Sequence, residues 1–172
     1  MEKARVKDKR KAKTSYCIID SQSVSNSESA EERGCDPNKK RIGIKRHIAV
    51  DTNGLPHGVY VTTANENDKT GAIKLIWWNM DSLSEVKKFL FDGGYEGEAF
   101  ALRVKDEHGA DVEIVKRSDV AGFTVMPKRW VVERSFAWLG NYRRLWKNCE
   151  RKLDSSLQMV LAAFVAVLLY RF

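Results

Sequence analysis

The sequence predicts an α/β fold, a mixed β-sheet with helices packed on its faces, and three observations lead to it. Residues 44–51 and 57–62 are β-prone runs joined through Asn53-Gly54, the signature of an antiparallel hairpin. A second apolar run ends at Asp92 and is followed by a glycine turn, a helical pattern and another β-prone run, an order that implies parallel pairing through a right-handed crossover. Apolar residues at helical spacing then fill the C-terminal part. An antiparallel part followed by parallel strand–helix units is a layered α/β architecture.

Taken in chain order, residues 1–13 carry seven Lys or Arg against two acids and almost no large apolar side chain, which predicts a basic flexible arm or linker ahead of a domain over 14–172. Tyr16 to Asp20 is a short strand ending in a carboxylate. Residues 21 to about 43, rich in small polar side chains, are expected to form a long loop whose Lys39-Lys40-Arg41 run suits a phosphate backbone. In the first hairpin strand Ile44, Arg46, Ile48 and Val50 share one side of the pleat, and Lys45, His47 and Ala49 the other. His47 is assigned no role. Asn67-Asp68 offers caps for a helix running to about Asn79, with Ile73, Ile76 and Trp77 on one face. A strand over 87–92 leads into a helix from about Glu96 to Glu107 that stops at Gly109, and Asp111 to Lys116 gives the next strand. Pro127 suits a first helical turn, and from Lys128 to about Gly140 the residues Val131, Val132, Phe136 and Leu139 fall at helical spacing. A last helix begins near Asp154. Within it Met159 to Leu169 is unbroken apolar but much shorter than the roughly 20 residues that span a bilayer, so a buried helix and no membrane partner are expected.

The formal net charge of +7 draws the chain toward a polyanion, of which nucleic acid is the commonest. The excess recurs over 128–152, with eight Lys or Arg against two acids. Cys17, Cys35 and Cys149 are odd in number and lack a C-x-x-C pair, which argues against a disulfide framework or a structural zinc site and fits a reducing cytoplasm.

Asp20 and Asp92 each end an apolar β-prone run and meet turn residues at once. In open α/β sheets ligands gather beyond the carboxyl ends of strands, so two such aspartates sit side by side if their strands are neighbours. Oxygen ligands without His or Cys select hard ions, Mg²⁺ or Mn²⁺. Two ions roughly 3.5–4 Å apart activate an attacking oxygen and stabilise a leaving one in phosphodiester displacement. The alternative for either aspartate is an Asx turn or a helix cap. Glu133 lies in a largely apolar helical segment, and burying it calls for Arg129, Arg134 or a metal.

The segments IIDSQSV, KRHIAVDTNGLP, FDGGYEG and above all PKRWVVERSFAWLGNYRRL resemble the catalytic domain of insertion-sequence transposases of the DDE type, in the branch often encoded by two reading frames. The resemblance runs from about Tyr16 to Phe172. It implies an RNase H-like fold and places the three acidic positions on Asp20, Asp92 and Glu133, as catalytic and metal-binding residues. It further implies metal-dependent cleavage at the element's ends and attack of the freed 3′-hydroxyl on target DNA, with two Mg²⁺ or Mn²⁺ ions. The basic residues Arg129, Arg134, Arg143, Arg144 and Lys147, with Lys39, Lys40, Arg41, Lys45 and Arg46, are then candidates for contact with DNA. A homodimer on DNA is expected, since two ends are brought together, in the bacterial cytoplasm and associated with the nucleoid. The family's N-terminal DNA-binding region is not found, so an upstream-frame partner supplying it, or a truncated copy, is expected. Two other classes compete: a non-catalytic DNA-binding regulator that keeps the fold, and a plain nuclease without strand transfer.

Overall fold

The computed structural model describes residues 1–115 and 129–171, and within them the chain builds a six-stranded sheet. Strand β1 (Tyr16–Ser25) lies at its centre. On one side it pairs antiparallel with β3 (Arg41–Val50), with Ile18 opposite Val50 and Ser25 opposite Gly43. The outer edge of β3 is shared end to end by β2 (Gly34–Asp36) and β4 (Pro56–Thr63), both antiparallel to it. On its other side β1 runs parallel to β5 (Lys88–Asp92), which is parallel in turn to β6 (Asp111–Val115). Antiparallel strands first and parallel strand–helix units afterwards make this an RNase H-like mixed sheet, as expected.

Helices cover both faces. Side chains alternate across a strand, so Ile18, Ile44, Ile48, Val59 and Leu90 gather on one face beneath α5 (Arg129–Gly140) and α6 (Leu153–Arg171). Cys17, Ile19, Ala49, Phe89 and Phe91 gather on the other with α2 (Asp68–Trp78), α3 (Met80–Leu83) and α4 (Glu98–His108). Each large apolar side chain fully withdrawn from water contributes about 1.5–3 kcal/mol, which makes these two layers the main source of stability.

Local chemistry sets the element ends. Asn67 caps α2 by accepting the Lys69 amide at 2.9 Å. Gly109, at φ +84°, closes α4 in the left-handed region. The hairpin turn holds Gly54 at φ +79°, and the Asp51 side chain accepts the amides of Asn53 (2.8 Å) and Leu55 (3.1 Å). That carboxylate organises the turn more than the Asn53-Gly54 pair does, because Asn53 keeps a negative φ.

Several expectations are corrected. Strand β1 does not stop at Asp20 but continues to Ser25, and the segment read as loop contains β2. The hydroxyls of Ser21 and Ser23 find carboxylate partners, Asp68 at 2.8 Å and Asp36 at 2.5 Å, so the ladder with β3 overrides their weak strand preference. Residues 2–7 form a short helix, α1 (Glu2–Lys7), with Arg5 buried. Trp77 is 65% exposed, off the buried stripe of Ile73 and Ile76. Helix α6 is not a buried helix: Val160, Ala163 and Phe164 pack on the sheet while Leu161, Val165 and Leu169 face outward. By length and composition alone Leu153–Tyr170 would be sufficient to cross a membrane. Pro127 and Lys128, read as the start of α5, lie outside the described residues.

Candidate active site

Asp20 and Asp92 become neighbours through register. The parallel pairing of Ile18 with Leu90 places residues 20 and 92 level on adjacent strands two positions further on. Because side chains two apart share a face, both aspartates project on the side of Ile18 and Leu90, the face beneath α5. A cleft there is lined by Ile18, Ile19, Asp20, Leu90, Phe91, Asp92, Val115 and Val132. Val132 comes from α5 and immediately precedes Glu133.

Each carboxylate is partly fixed. Asp20 is half-buried and accepts the amide of Ser21 at 2.7 Å. Asp92, also half-buried, caps the single 3-10 turn Gly93–Tyr95 by accepting the Gly94 amide at 3.0 Å. Its cap role and a ligand role are compatible, since a carboxylate has two oxygens and about four lone-pair sites. Glu133 is exposed on α5, at the edge of the stripe Val131, Val132, Phe136 and Leu139 that anchors the helix in the core. The structure brings Asp20 and Asp92 to one cleft and sets Glu133 on the helix that borders it. Among the described residues no three Asp, Glu, His or Cys side chains are gathered within metal-binding reach of one another. The donor set itself, carboxylate oxygens at a cleft beyond a β-strand end, fits a hard divalent cation.

Behind Asp92, Tyr95 is buried against Phe91 and Phe100, with ring centroids 4.9 and 5.8 Å away. Burial raises the pKa of its phenol well above the ordinary value, and the charges of Asp20, Asp68 and Asp92 add to the shift, so it stays protonated beside the acidic cleft.

The basic candidates divide by exposure. Lys39, Lys40 and Arg41 are exposed, as are Arg143, Arg144 and Lys147. Asn26 joins the two groups: its amide donates to the carbonyl of Ile42 (3.2 Å), and its side-chain oxygen accepts from Asn148 (2.9 Å). Both groups therefore flank the C-terminal end of β1, the direction in which Asp20 and Asp92 also lie. Lys147 rests over the Trp146 ring, 5.2 Å from its centroid, and Arg144 is paired with Glu150 at 2.6 Å.

Lys45 and Arg46 do not face solvent, contrary to the expectation of phosphate contact. Both faces of β3 are covered, so the pleat turns each inward. The Lys45 ammonium donates to the Glu66 carbonyl (2.8 Å) and pairs with Asp68 (3.0 Å). Arg46 is 2% exposed and donates to the Leu145 carbonyl (2.7 Å), with burial lowering its pKa to about 10. Arg134 is enclosed too, its guanidinium 4.6 Å from the Trp130 ring centroid and 5.1 Å from that of Trp138, donating to the Asn53 carbonyl at 2.8 Å. The side chain of Arg129 lies outside the described residues.

Compared with known proteins, residues 11–168 match the family described as transposase DDE domain. The chain belongs to that family. This transposase-family domain is also 35% identical over 123 residues to a protein of Burkholderia cepacia named as a transposase for insertion sequence element IS402. That match covers 67% of the domain and 58% of the relative, so the chain spans somewhat more than half of the curated relative's length. A chain of the cryo-EM structure of a simian T-cell lymphotropic virus intasome, in complex with PP2A regulatory subunit B56 gamma, overlays with a TM-score of 0.44 at 13% identity. It covers 86% of this domain and 47% of that chain.

What the sequence did not reveal is how α5 is held. Arg134 and Ser135 tie it to the hairpin turn by donating to the carbonyls of Asn53 and Gly54, and the only signal in the sequence was a Ser on an apolar helical stripe.

Proposed function

We propose that the chain is the catalytic domain of a DNA transposase, cutting phosphodiester bonds at the ends of a mobile element and joining the freed 3′-hydroxyls to target DNA. The observation that carries this reading is the level placement of Asp20 and Asp92 on adjacent parallel strands, in a cleft bordered by the helix that bears Glu133. Asp20, Asp92 and Glu133 would hold two Mg²⁺ or Mn²⁺ ions. When bound, such ions lower the pKa of an attacking water or hydroxyl and neutralise the leaving oxygen.

The chain's own residues do the rest. Asp20, Asp92 and Glu133 would hold the cations against the scissile phosphate, and the apolar side chains of Ile18, Leu90 and Val132 that line the cleft would limit bulk water there. The exposed Lys39, Lys40, Arg41, Arg143, Arg144 and Lys147 would hold the DNA backbone along the end of β1, supplying affinity without sequence readout. Synapsis of two ends calls for two copies of the domain on DNA. A separate region or upstream-frame partner would select the terminal repeats, in the bacterial cytoplasm at the nucleoid.

The test is cleavage of DNA carrying an element's ends, with Mg²⁺ or Mn²⁺, by the wild type and by Asp92→Asn. Nicking that requires the metal and falls by at least roughly 100-fold in the variant, with DNA binding kept, is the expected result. Binding by both proteins with no nicking by either would replace the enzyme with a DNA-binding regulator. Nicking without joining to a second DNA would leave a nuclease.

A further inference from the structure

The hairpin turn between β3 and β4 is tied to two other parts of the chain at once. Its carbonyls face α5: Asn53 O accepts Arg134 Nη2 at 2.8 Å, and Gly54 O accepts Ser135 Oγ at 3.0 Å. These two donors directly follow Glu133. The approach is close, since a Cβ on Gly54 would lie 2.8 Å from Ser135 Oγ and 3.1 Å from the Trp138 ring. Ser135 is completely buried, and Arg134 is sandwiched between Trp130 and Trp138, so this contact fixes both the rotation of α5 and its position along its axis.

The turn is set in turn by Asp51, which is fully buried. One of its oxygens accepts the turn amides of Asn53 and Leu55. The other faces the N-terminal segment, where it pairs with Arg5, itself 4% exposed, and with Arg10 at 3.2 Å. His57 Nε2 stands 3.6 Å away. Burial opposes the charge on Asp51, but the His57 imidazole and the two turn amides outweigh it, and the carboxyl stays below its usual range. Arg10 also donates to the Thr52 hydroxyl (2.6 Å), and Asn53 Nδ2 to Asp8 (3.3 Å). A run of basic residues that merely faced solvent would not bury an arginine against a fully buried aspartate.

We propose that Arg5 and Asp51 are positioning residues for Glu133: docking of the N-terminal segment on the hairpin turn sets the turn, and the turn holds α5. The inference rests on the reading of Glu133 as a ligand of the reacting centre. A shift of about 1 Å in such a group costs on the order of 100-fold in rate, so loosening α5 acts on chemistry before it acts on folding.

The test uses the full chain with Asp51→Asn, which keeps an oxygen for the turn amides but removes the charge, and with Arg5→Ala and Arg5→Lys. Amide hydrogen exchange is followed over residues 130–140 and, as a reference, over β5 and α4. Asp51→Asn and Arg5→Ala are expected to speed exchange in α5 by at least roughly tenfold, with β5 and α4 unchanged. Arg5→Lys, which keeps the charge, restores part of the protection. Metal-dependent cleavage should fall about 100-fold in the first two variants while DNA binding persists. Unchanged exchange in α5, or an equal rise throughout the chain, overturns the proposal. If the wild type does not cleave DNA, the catalytic reading fails by itself, and the exchange measurement still decides whether the N-terminal segment holds α5.

Discussion

His47 is the side chain whose environment departs furthest from what its neighbours in sequence suggest. It follows two cationic residues, Lys45 and Arg46, yet is fully buried, with Nε2 3.0 Å from the Thr62 hydroxyl, and burial lowers its pKa to about 4. The unfolded chain takes up a proton near pH 6.5, while the folded chain refuses it until about pH 4, so stability falls as pH drops through that window. The loss from this one group approaches roughly 3 kcal/mol by pH 4. Urea unfolding at pH 7 and pH 4.5 should show the decline, and His47→Gln should remove most of it. His108, whose pKa is lowered by burial as well, leaves a smaller residue of the effect in that variant. A wild-type stability flat between pH 7 and 4.5 would contradict the assignment. Lys45 and Arg46 teach the same lesson: alternation identified the pleat correctly, but only the tertiary fold shows that both faces of β3 are covered.

At the scale of elements, those with strong local chemistry were legible in the sequence. The β3–β4 hairpin, the Asn67 cap, the glycine stop of α4 and the strand ending at Asp92 all rest on residues that act within one turn of themselves. The extension of β1 through Ser21 to Ser25 was not, because those residues gain their strand geometry from β3 and from Asp36 and Asp68, none of them adjacent in sequence. The site divides in the same way. Asp92 could be singled out from its position at a strand end and Asp20 from closing an apolar β-prone run, although β1 continues past it, but the hold on α5 by Arg134 and Ser135 depends on a turn at a sequence separation of 81. Packing of α2 gives an element-scale prediction. A Cβ at Gly71 would lie 2.1 Å from the His47 ring, so Gly71→Ala must push the helix off the sheet. The better helix propensity of Ala, worth about 1 kcal/mol, does not offset overpacking of about 1–3 kcal/mol. A net drop in the urea midpoint with unchanged m-value is expected; a rise would show that α2 sits further from β3.

Across the whole molecule, one group of exposed cations lies toward the end of β1, and the proposed contact with DNA there sets how binding would respond to salt. Six exposed cations, Lys39, Lys40, Arg41, Arg143, Arg144 and Lys147, predict a slope of log K against log salt of about −5 if each meets a phosphate. Replacing Lys39, Lys40 and Arg41 together with Ala should reduce that slope by about 2 to 3 units, to the same extent on any duplex. Replacing Arg46 should lower thermal stability and leave the slope alone, since its guanidinium is committed to Leu145. An Arg46 variant that changes the slope would place that residue on the DNA. The outward side of α6 has a consequence of another kind. With Leu161, Val165, Leu169 and Tyr170 bare, crowding in a concentrated stock favours sticking between molecules, while dilution or a mild detergent disperses them. Light scattering that climbs steeply with protein concentration, and collapses when micelles coat that side, is how this helix should announce itself at the bench.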